Sequence, residues 1–276
     1  MEKRVAIVII RPREGWQLID LKELNSYKEL LYFLVAKEIK LRYRQTVLGG
    51  LWIVVQPFFL MIVFTIFMGK LAKLPSDGIP YPVFYFSAMI AWQYFAGAVT
   101  RSGNSLIINM KLISRIYFPR LLIPLTPALA GLLDFFIAFA VLIGMMLYFH
   151  IYPTVMALFL PFGVLIMVLA ASGVGLFLAA LSVKYRDITA TTPFLLQLWM
   201  FASPIVYPAS MVPVKYQLFY AINPVTGVIE GLRAALLGTV PFPWHIMLVS
   251  AITSMILFIS GLIYFQQVER YFADII

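Results

Sequence analysis

The 276-residue sequence has no cysteine, only two histidines and only 12 acidic residues. Without cysteine there is no disulfide, no thiol nucleophile and no thiolate metal site. His150 and His245 are far apart and lack an HExxH-type spacing, so packing at a membrane surface accounts for them better than a metal does. Charged residues make up 12% of the chain, about half of what a soluble domain carries. A phosphate-binding loop is also missing. The only Gly-Lys pair, Gly69-Lys70, has Phe64 where such a loop needs its first glycine and Leu71 where it needs Ser or Thr. No two carboxylates share a predicted span for acid/base work, so the sequence reads as a non-enzyme. If this protein pumps, an ATPase has to come from outside the chain.

What is present is apolar: 62% of the residues are hydrophobic and 16% aromatic. A helix crossing the hydrocarbon core needs roughly 20 mostly apolar residues, and on that criterion the chain carries six spans. They run approximately over Leu51–Met68, Val83–Thr100, Leu121–Phe149, Val155–Val183, Ile188–Tyr207 and Trp244–Phe265. The first apolar run, Val5–Ile10, ends at Arg11-Pro12 and is too short for the apolar region of a signal peptide, so the N-terminus is expected to be retained. The fold class is therefore an all-α integral membrane protein. Its expected parts are a cytoplasmic N-terminal segment (1–26), an interface helix (27–46) and a transmembrane domain (47–276).

In a soluble chain the formal net charge of +9 would point to nucleic acid. Here the cations flank spans, which points to topology and anionic lipid instead. Ten Lys and Arg precede Leu51, four lie in Arg101–Arg120, two in Lys184–Asp187 and one at Arg270. The other side has only Lys70, Lys73, Lys215 and Arg233. The positive-inside rule puts both termini in the cytoplasm.

Tyr27 to Thr46 reads as a helix with an amphipathic second half. At 100° per residue Lys37, Lys40 and Arg44 share one face, and Tyr32, Val35, Ile39 and Tyr43 lie opposite. This is the pattern of a helix lying in the interface. Its basic face either holds a lipid phosphate or diphosphate or simply anchors the helix with snorkelling lysines. The second cytoplasmic segment, Asn104–Arg120, mixes isoleucine and leucine with Lys111, Arg115 and Arg120, which suits docking on the membrane surface or on a cytoplasmic partner. Asp134 is the one acid deep in a predicted span. There a charge costs about 2.5–3.5 kcal/mol on insertion scales, so it should face the bundle, a subunit contact or a water-filled path.

Residues 208–243 are too apolar for a solvated loop, yet Pro213, Pro224, Gly227, Gly231, Gly238 and Pro241 break them too often for a crossing. A re-entrant helical hairpin on the outer side fits, because irregular backbone at membrane depth is tolerated only under protein cover or beside a water-filled cavity. Within it Glu230 and Arg233 are spaced to pair on one helical face, either as an outer gate or as simple mutual neutralisation. Trp52, Phe58, Trp92, Tyr94, Trp199 and Tyr207 are candidate channel aromatics, since ring faces stack on sugars while Trp and Tyr keep a polar handle. The alternative is an ordinary aromatic belt.

Four segments carry a resemblance: ELLYFLVAKEIKLRYRQTVLGGLWIVVQP, NMKLISRIYFPRLLIP, LSVKYRDITATTPFLLQLWMFASPIVYP and NPVTGVIEGLRAALLG. They resemble the permease subunit of ATP-binding-cassette exporters for polysaccharides, the family that moves O-antigen, capsule and teichoic-acid polymers, and are most similar to the O-antigen type. The resemblance implies a homodimer joined to two cytoplasmic nucleotide-binding subunits, which would carry the ATP and Mg, with no cofactor in this chain. It implies a cargo of polysaccharide linked to undecaprenyl diphosphate, carried across the bacterial inner membrane among membrane lipids. It marks residues 109–120 as the coupling region, with Lys111, Ser114 and Arg115 as contacts, and Lys184, Arg186 and Asp187 as a second contact. It also favours the gate reading of Glu230 and Arg233. Lys37, Lys40 and Arg44 would meet the lipid diphosphate first. Alternatives are the same architecture with a teichoic acid, glycolipid or drug as cargo, a passive pore or scaffold, or an integral lipid-modifying enzyme.

Overall fold

The computed structural model describes residues 26–44, 49–185, 187–238 and 240–269. Among these residues the protein is all-helical, with ten α-helices and no strand. They are α1 (Lys28–Tyr43), α2 (Trp52–Phe64), α3 (Tyr81–Ile108), α4 (Met110–Ile113), α5 (Leu122–Tyr148), α6 (Leu160–Lys184), α7 (Asp187–Phe201), α8 (Val214–Ala221), α9 (Pro224–Leu237) and α10 (Trp244–Glu269). A π-helical turn over Thr65–Leu71 prolongs α2, and its Gly69 faces the Tyr81 ring so closely that a β-carbon would lie 2.9 Å from Cγ.

The centre of the bundle is α3, which packs on α5, α6 and α9. Val83, Phe84, Phe86 and Phe95 on it are fully buried. Its small polar residues find bonds inside: Ser102 donates to the Pro124 carbonyl at 2.7 Å, and Ser182 of α6 donates to the Gly103 carbonyl at 2.7 Å. Helix α6 meets α10 through glycine. A β-carbon at Gly261 would lie 2.5 Å from the Gly173 carbonyl oxygen, and one at Gly173 would lie 2.6 Å from the backbone of Leu257 and Phe258. Small residues that let two backbones touch are the usual means of packing helices in lipid, where apolar burial alone gives no preference for a neighbouring helix.

Among the described residues four helical stretches are long and apolar enough to cross a membrane: Gly49–Leu71, Leu122–Tyr148, Val155–Lys184 and Trp244–Glu269. They match the first, third, fourth and sixth predicted spans. The second corresponds to α3, which is long enough at 28 residues but dilutes its apolar content with Tyr, Gln, Ser and Arg, as a helix walled in by protein can. The fifth corresponds to α7, which has 15 residues and extends only about 22 Å, before a bent stretch carries the chain to Pro208. Within the predicted hairpin region lie α8 and α9, joined by Ile222 and Asn223.

Helix α9 is buried along its whole length. Asn223 caps it by accepting from the Val225 N–H at 3.1 Å, and Gly238 ends it in the left-handed conformation at φ 69°. Gly227 brings its N–H to the Ser250 hydroxyl at 3.1 Å, fastening α9 to α10.

Candidate functional site

A cavity of about 580 Å³ lies between α2, α3, α5 and α7, with the end of α1 at its edge. Its walls are aromatic and amide: Trp52 and Gln56 from α2, and Trp92, Gln93 and Tyr94 from α3. Arg42, Tyr43, Arg101 and Asp134 form its ionic part. Alternation along the chain explains the assembly. Trp92, Gln93, Gly97, Thr100 and Arg101 recur at helical spacing on one side of α3, while Gly131, Asp134, Phe135 and Ala138 do so on α5.

Asp134 is bonded to the end of α1. One carboxylate oxygen accepts from the Arg42 guanidinium and the other from the Tyr43 hydroxyl. Arg101 Nη2 stands 4.0 Å from the same carboxylate, and Arg42 Nη2 lies 3.5 Å from Glu38 Oε1. The Tyr43 phenol is pushed up to about 12, first by burial and then by the hydrogen bond to Asp134. It therefore stays protonated, and remains a donor, throughout the neutral range. Room for the Arg101 guanidinium comes from Gly97, where a β-carbon would lie 2.9 Å from Nη2. Asp134 is 12 residues beyond Leu122, so about 18 Å along α5.

Helix α1 buries Leu34 and half-buries Val35, Ile39 and Tyr43 of the apolar face together with Glu38 and Arg42, while Tyr32, at 77% exposure, is the one residue of that face turned outward. The partly buried acid in α5 is answered by Arg42 and Tyr43. Lys37, Lys40 and Arg44 are all exposed, with Phe33 and Leu41 among them.

The candidate aromatics separate. Trp52, Trp92 and Tyr94 line the cavity, Trp92 and Tyr94 as buried residues and Trp52 at 53% exposure. The Tyr94 hydroxyl donates to the Ala128 carbonyl at 2.9 Å. Phe58 is exposed on α2. Trp199 is outside the cavity wall, with its indole N–H donated to Asn223 Oδ1 at 3.0 Å. Tyr207 and Tyr220 bond hydroxyl to hydroxyl at 3.1 Å.

Glu230 and Arg233 pair at 3.0 Å, and both are buried. Arg233 also donates to the carbonyls of Phe84 and Ile205, and Glu230 accepts from the Ala209 N–H at 3.4 Å. The pair thus joins α9, α3 and the stretch leading to Ala209.

At the opposite end of the bundle α3 continues to Ile108, so the segment Asn104–Arg120 begins inside that helix and then holds the single turn of α4. Ile113 and Phe118 are buried there, which fixes the loop. Lys111, Ser114 and Arg115 are exposed beside Ile108, Ile116 and Tyr117. Lys184 and Asp187 are exposed at the junction of α6 and α7, while Arg186 lies outside the described residues. The Ser182 to Gly103 bond brings that junction and the α4 loop to the same end of the protein. Sequence reasoning missed Arg42, Tyr43 and Arg101 as a group around Asp134.

The profile of a family described as "ABC-2 type transporter" matches residues 29–237. The O-antigen export system permease protein RfbA of Klebsiella pneumoniae is 28% identical over 251 residues, covering 90% of this chain and 95% of the relative. Its Myxococcus xanthus namesake is 26% identical over 254 residues, covering 91% and 96%. The polysialic acid transport protein KpsM of Escherichia coli is 27% identical over 212 residues, covering 74% and 80%.

Proposed function

The chain belongs to the ABC-2 type transporter family, and from that membership we propose that it is the transmembrane subunit of an ATP-driven exporter of undecaprenyl-diphosphate-linked, O-antigen-like polysaccharide. Two copies would join two separate nucleotide-binding subunits that hold ATP and Mg. The complex would lie in the bacterial inner membrane, each copy with six spans, cytoplasmic termini and an outer hairpin over 208–243.

The observation that carries this reading is the pairing of full-length similarity to O-antigen export permeases with a cavity walled by Trp52, Trp92 and Tyr94 beside Gln56 and Gln93. Ring faces and amides together suit a sugar, which presents apolar faces edged with hydroxyls. Stacking of this kind is weak and repeatable, so a polymer can advance without being trapped. Lys37, Lys40 and Arg44 would meet the lipid diphosphate at the inner surface, where each basic residue contributes about 1 kcal/mol toward an anionic headgroup. ATP binding in the partner would be transmitted through the exposed patch around Lys111, Ser114 and Arg115, with Lys184, Arg186 and Asp187 as a second contact. Glu230 and Arg233 would hold the outer gate.

A second cargo, an acidic capsular polymer, is favoured by the similarity to the polysialic acid transport protein. The test is co-purification with the candidate nucleotide-binding subunit, followed by ATP hydrolysis, for the wild type and for Lys111→Glu/Arg115→Glu. A stable, hydrolysing complex that is lost on charge reversal supports the reading. Failure of well-folded wild type to bind that partner argues for a pore or scaffold. Glycan recovered with the complex separates the two cargoes.

A further inference from the structure

Helix α1 is tied to the bundle at two places. Near its start Leu34 is buried in the apolar cluster at the α4 end of the protein, with Leu30 and Leu31 packed against that cluster. Near its end both oxygens of Asp134 are taken, one by Arg42 and one by Tyr43. On its outer side Tyr32, Phe33 and Leu41 are exposed. The second attachment combines an ion pair and a hydroxyl bond with the half-buried Val35 and Ile39, and it faces a cavity large enough to admit a ligand group.

The guanidiniums there are incompletely satisfied. Arg42 and Arg101 each keep a buried Nε–H with no hydrogen-bond partner, and Arg101 reaches Asp134 only at 4.0 Å. A phosphate accepts from guanidinium forks more fully than a single carboxylate does, because it offers more oxygens and more charge. A carboxylate bonded to Arg42 at the edge of such a cavity occupies the place that an incoming anion would take.

We propose that Asp134 is an ionic latch: it positions α1 against α5 by holding Arg42 and Tyr43, and the diphosphate of an entering cargo displaces it by taking Arg42 together with Arg101. Displacement removes the bonds to Arg42 and Tyr43 while the Leu34 attachment persists, so the second half of α1 loosens against α5. Asp134 is a positioning residue here and touches cargo at no stage. The ligand class is an anionic phosphate or diphosphate ester, and the latch rests on the cargo reading given above.

The absence of cysteine from the sequence makes the test direct. Spin labels at Leu41→Cys on α1 and Leu147→Cys on α5 report their separation in the assembled complex, with labelled subunits diluted into unlabelled ones. In the wild type we expect one narrow distance population. Asp134→Asn should broaden it or add a longer one, and Asp134→Glu should restore the narrow population. Farnesyl diphosphate added to the wild type should reproduce the Asp134→Asn distribution, farnesol should not, and the Asp134→Asn complex should not respond to either. Should Asp134→Asn fail to assemble, Arg42→Gln removes the same bond from the other side and is expected to give the same distribution. The Asn arm needs no cargo, so an unchanged narrow population in Asp134→Asn overturns the latch by itself. Loosening by Asp134→Asn combined with no effect of farnesyl diphosphate overturns release by an anion, while the cargo reading, which rests on the family similarity, stands or falls with glycan recovered from the complex.

Discussion

The guanidinium of Arg233 lies over the ring of Phe84, with its central carbon 3.5 Å from the ring centroid, while its Nη2 donates to the Phe84 carbonyl at 3.2 Å. One residue of α9 thus holds both the side chain and the backbone of one residue of α3. Glu230, one turn earlier, supplies the countercharge. Removing one member of a buried ion pair leaves the other uncompensated and costs about 3–5 kcal/mol, whereas replacing both by apolar groups of similar volume is often neutral. We expect Arg233→Ala and Glu230→Ala each to lower the thermal midpoint of the detergent-solubilised complex strongly. Glu230→Leu combined with Arg233→Met should recover much of the loss of the corresponding single variants, which a double-mutant cycle over these substitutions will measure.

The α6–α10 contact gives a sharper steric expectation. A β-carbon at Gly261 would sit 2.5 Å from the backbone oxygen of Gly173, a group that cannot turn aside as a side-chain tip can. Gly261→Ala is expected to destabilise by about 1–3 kcal/mol, the usual cost of overpacking. Gly144, in the last turns of α5, has nothing within 4 Å of the place a β-carbon would take. Gly144→Ala should be neutral or stabilising by up to about 1 kcal/mol through helix propensity. Opposite shifts of the unfolding midpoint for these two glycine-to-alanine changes are the expected result.

Asn223 is a junction as well as a cap. Its Oδ1 accepts from the Val225 N–H and the Trp199 indole, and its Nδ2 donates to the Ser203 hydroxyl at 2.8 Å and the Ala202 carbonyl at 3.2 Å. Asn223→Ala should cost about 0.5–2 kcal/mol for the cap alone, plus the release of Trp199. Asn223→Asp keeps the acceptor for Val225 and Trp199 but loses both Nδ2 bonds and sets an oxygen against the Ala202 carbonyl, so it should keep the cap and the indole bond at an intermediate stability. Thermal unfolding of the two variants, with tryptophan emission followed in parallel, distinguishes loss of the acceptor from loss of the donor.

Among the cavity aromatics, Trp52 is the informative one. It lines the cavity yet is half-exposed, so Trp52→Ala removes a stacking surface with little loss of packing. Trp92 is buried, and Trp92→Ala should cost about 3–5 kcal/mol as a core truncation. A several-fold fall in glycan export by Trp52→Ala at unchanged stability, measured in the reconstituted complex, is the expected signature of a cargo-facing ring. Unchanged export would make that ring lipid-facing only.

Much of this arrangement was legible in the sequence, for physical reasons that differ from residue to residue. Asp134 stood out because an acid in an apolar run must be answered by something, and Glu230 and Arg233 stood out because i,i+3 spacing places them on one face. The identity of Asp134's partners was not legible. Arg42 is 92 positions away and sits in a segment where Lys37, Lys40 and Arg44 carry the same charge, so local sequence does not single it out. The sequence signal that bears on it is the series Leu34, Glu38, Arg42, whose i+4 spacing sets Arg42 on one face with an apolar residue and an acid. The depth of α3 was obscured by its Tyr, Ser and Gln content. These polar groups bond inside the bundle, as Ser102 and Tyr94 do, and so lower the apolarity of a helix that never faces lipid along most of its length.

The central claim is ATP-driven movement of a lipid-linked polysaccharide, and it is tested most directly in proteoliposomes. Purified complex is reconstituted with lipid-linked glycan accessible on the outer face, and the fraction of glycan protected from an added glycosidase is followed over time. We expect protection to rise only with ATP and Mg present and the nucleotide-binding subunits facing outward, and to be lost with Lys111→Glu/Arg115→Glu. Protection that appears without ATP, or none at all from a complex that hydrolyses ATP, would contradict the account.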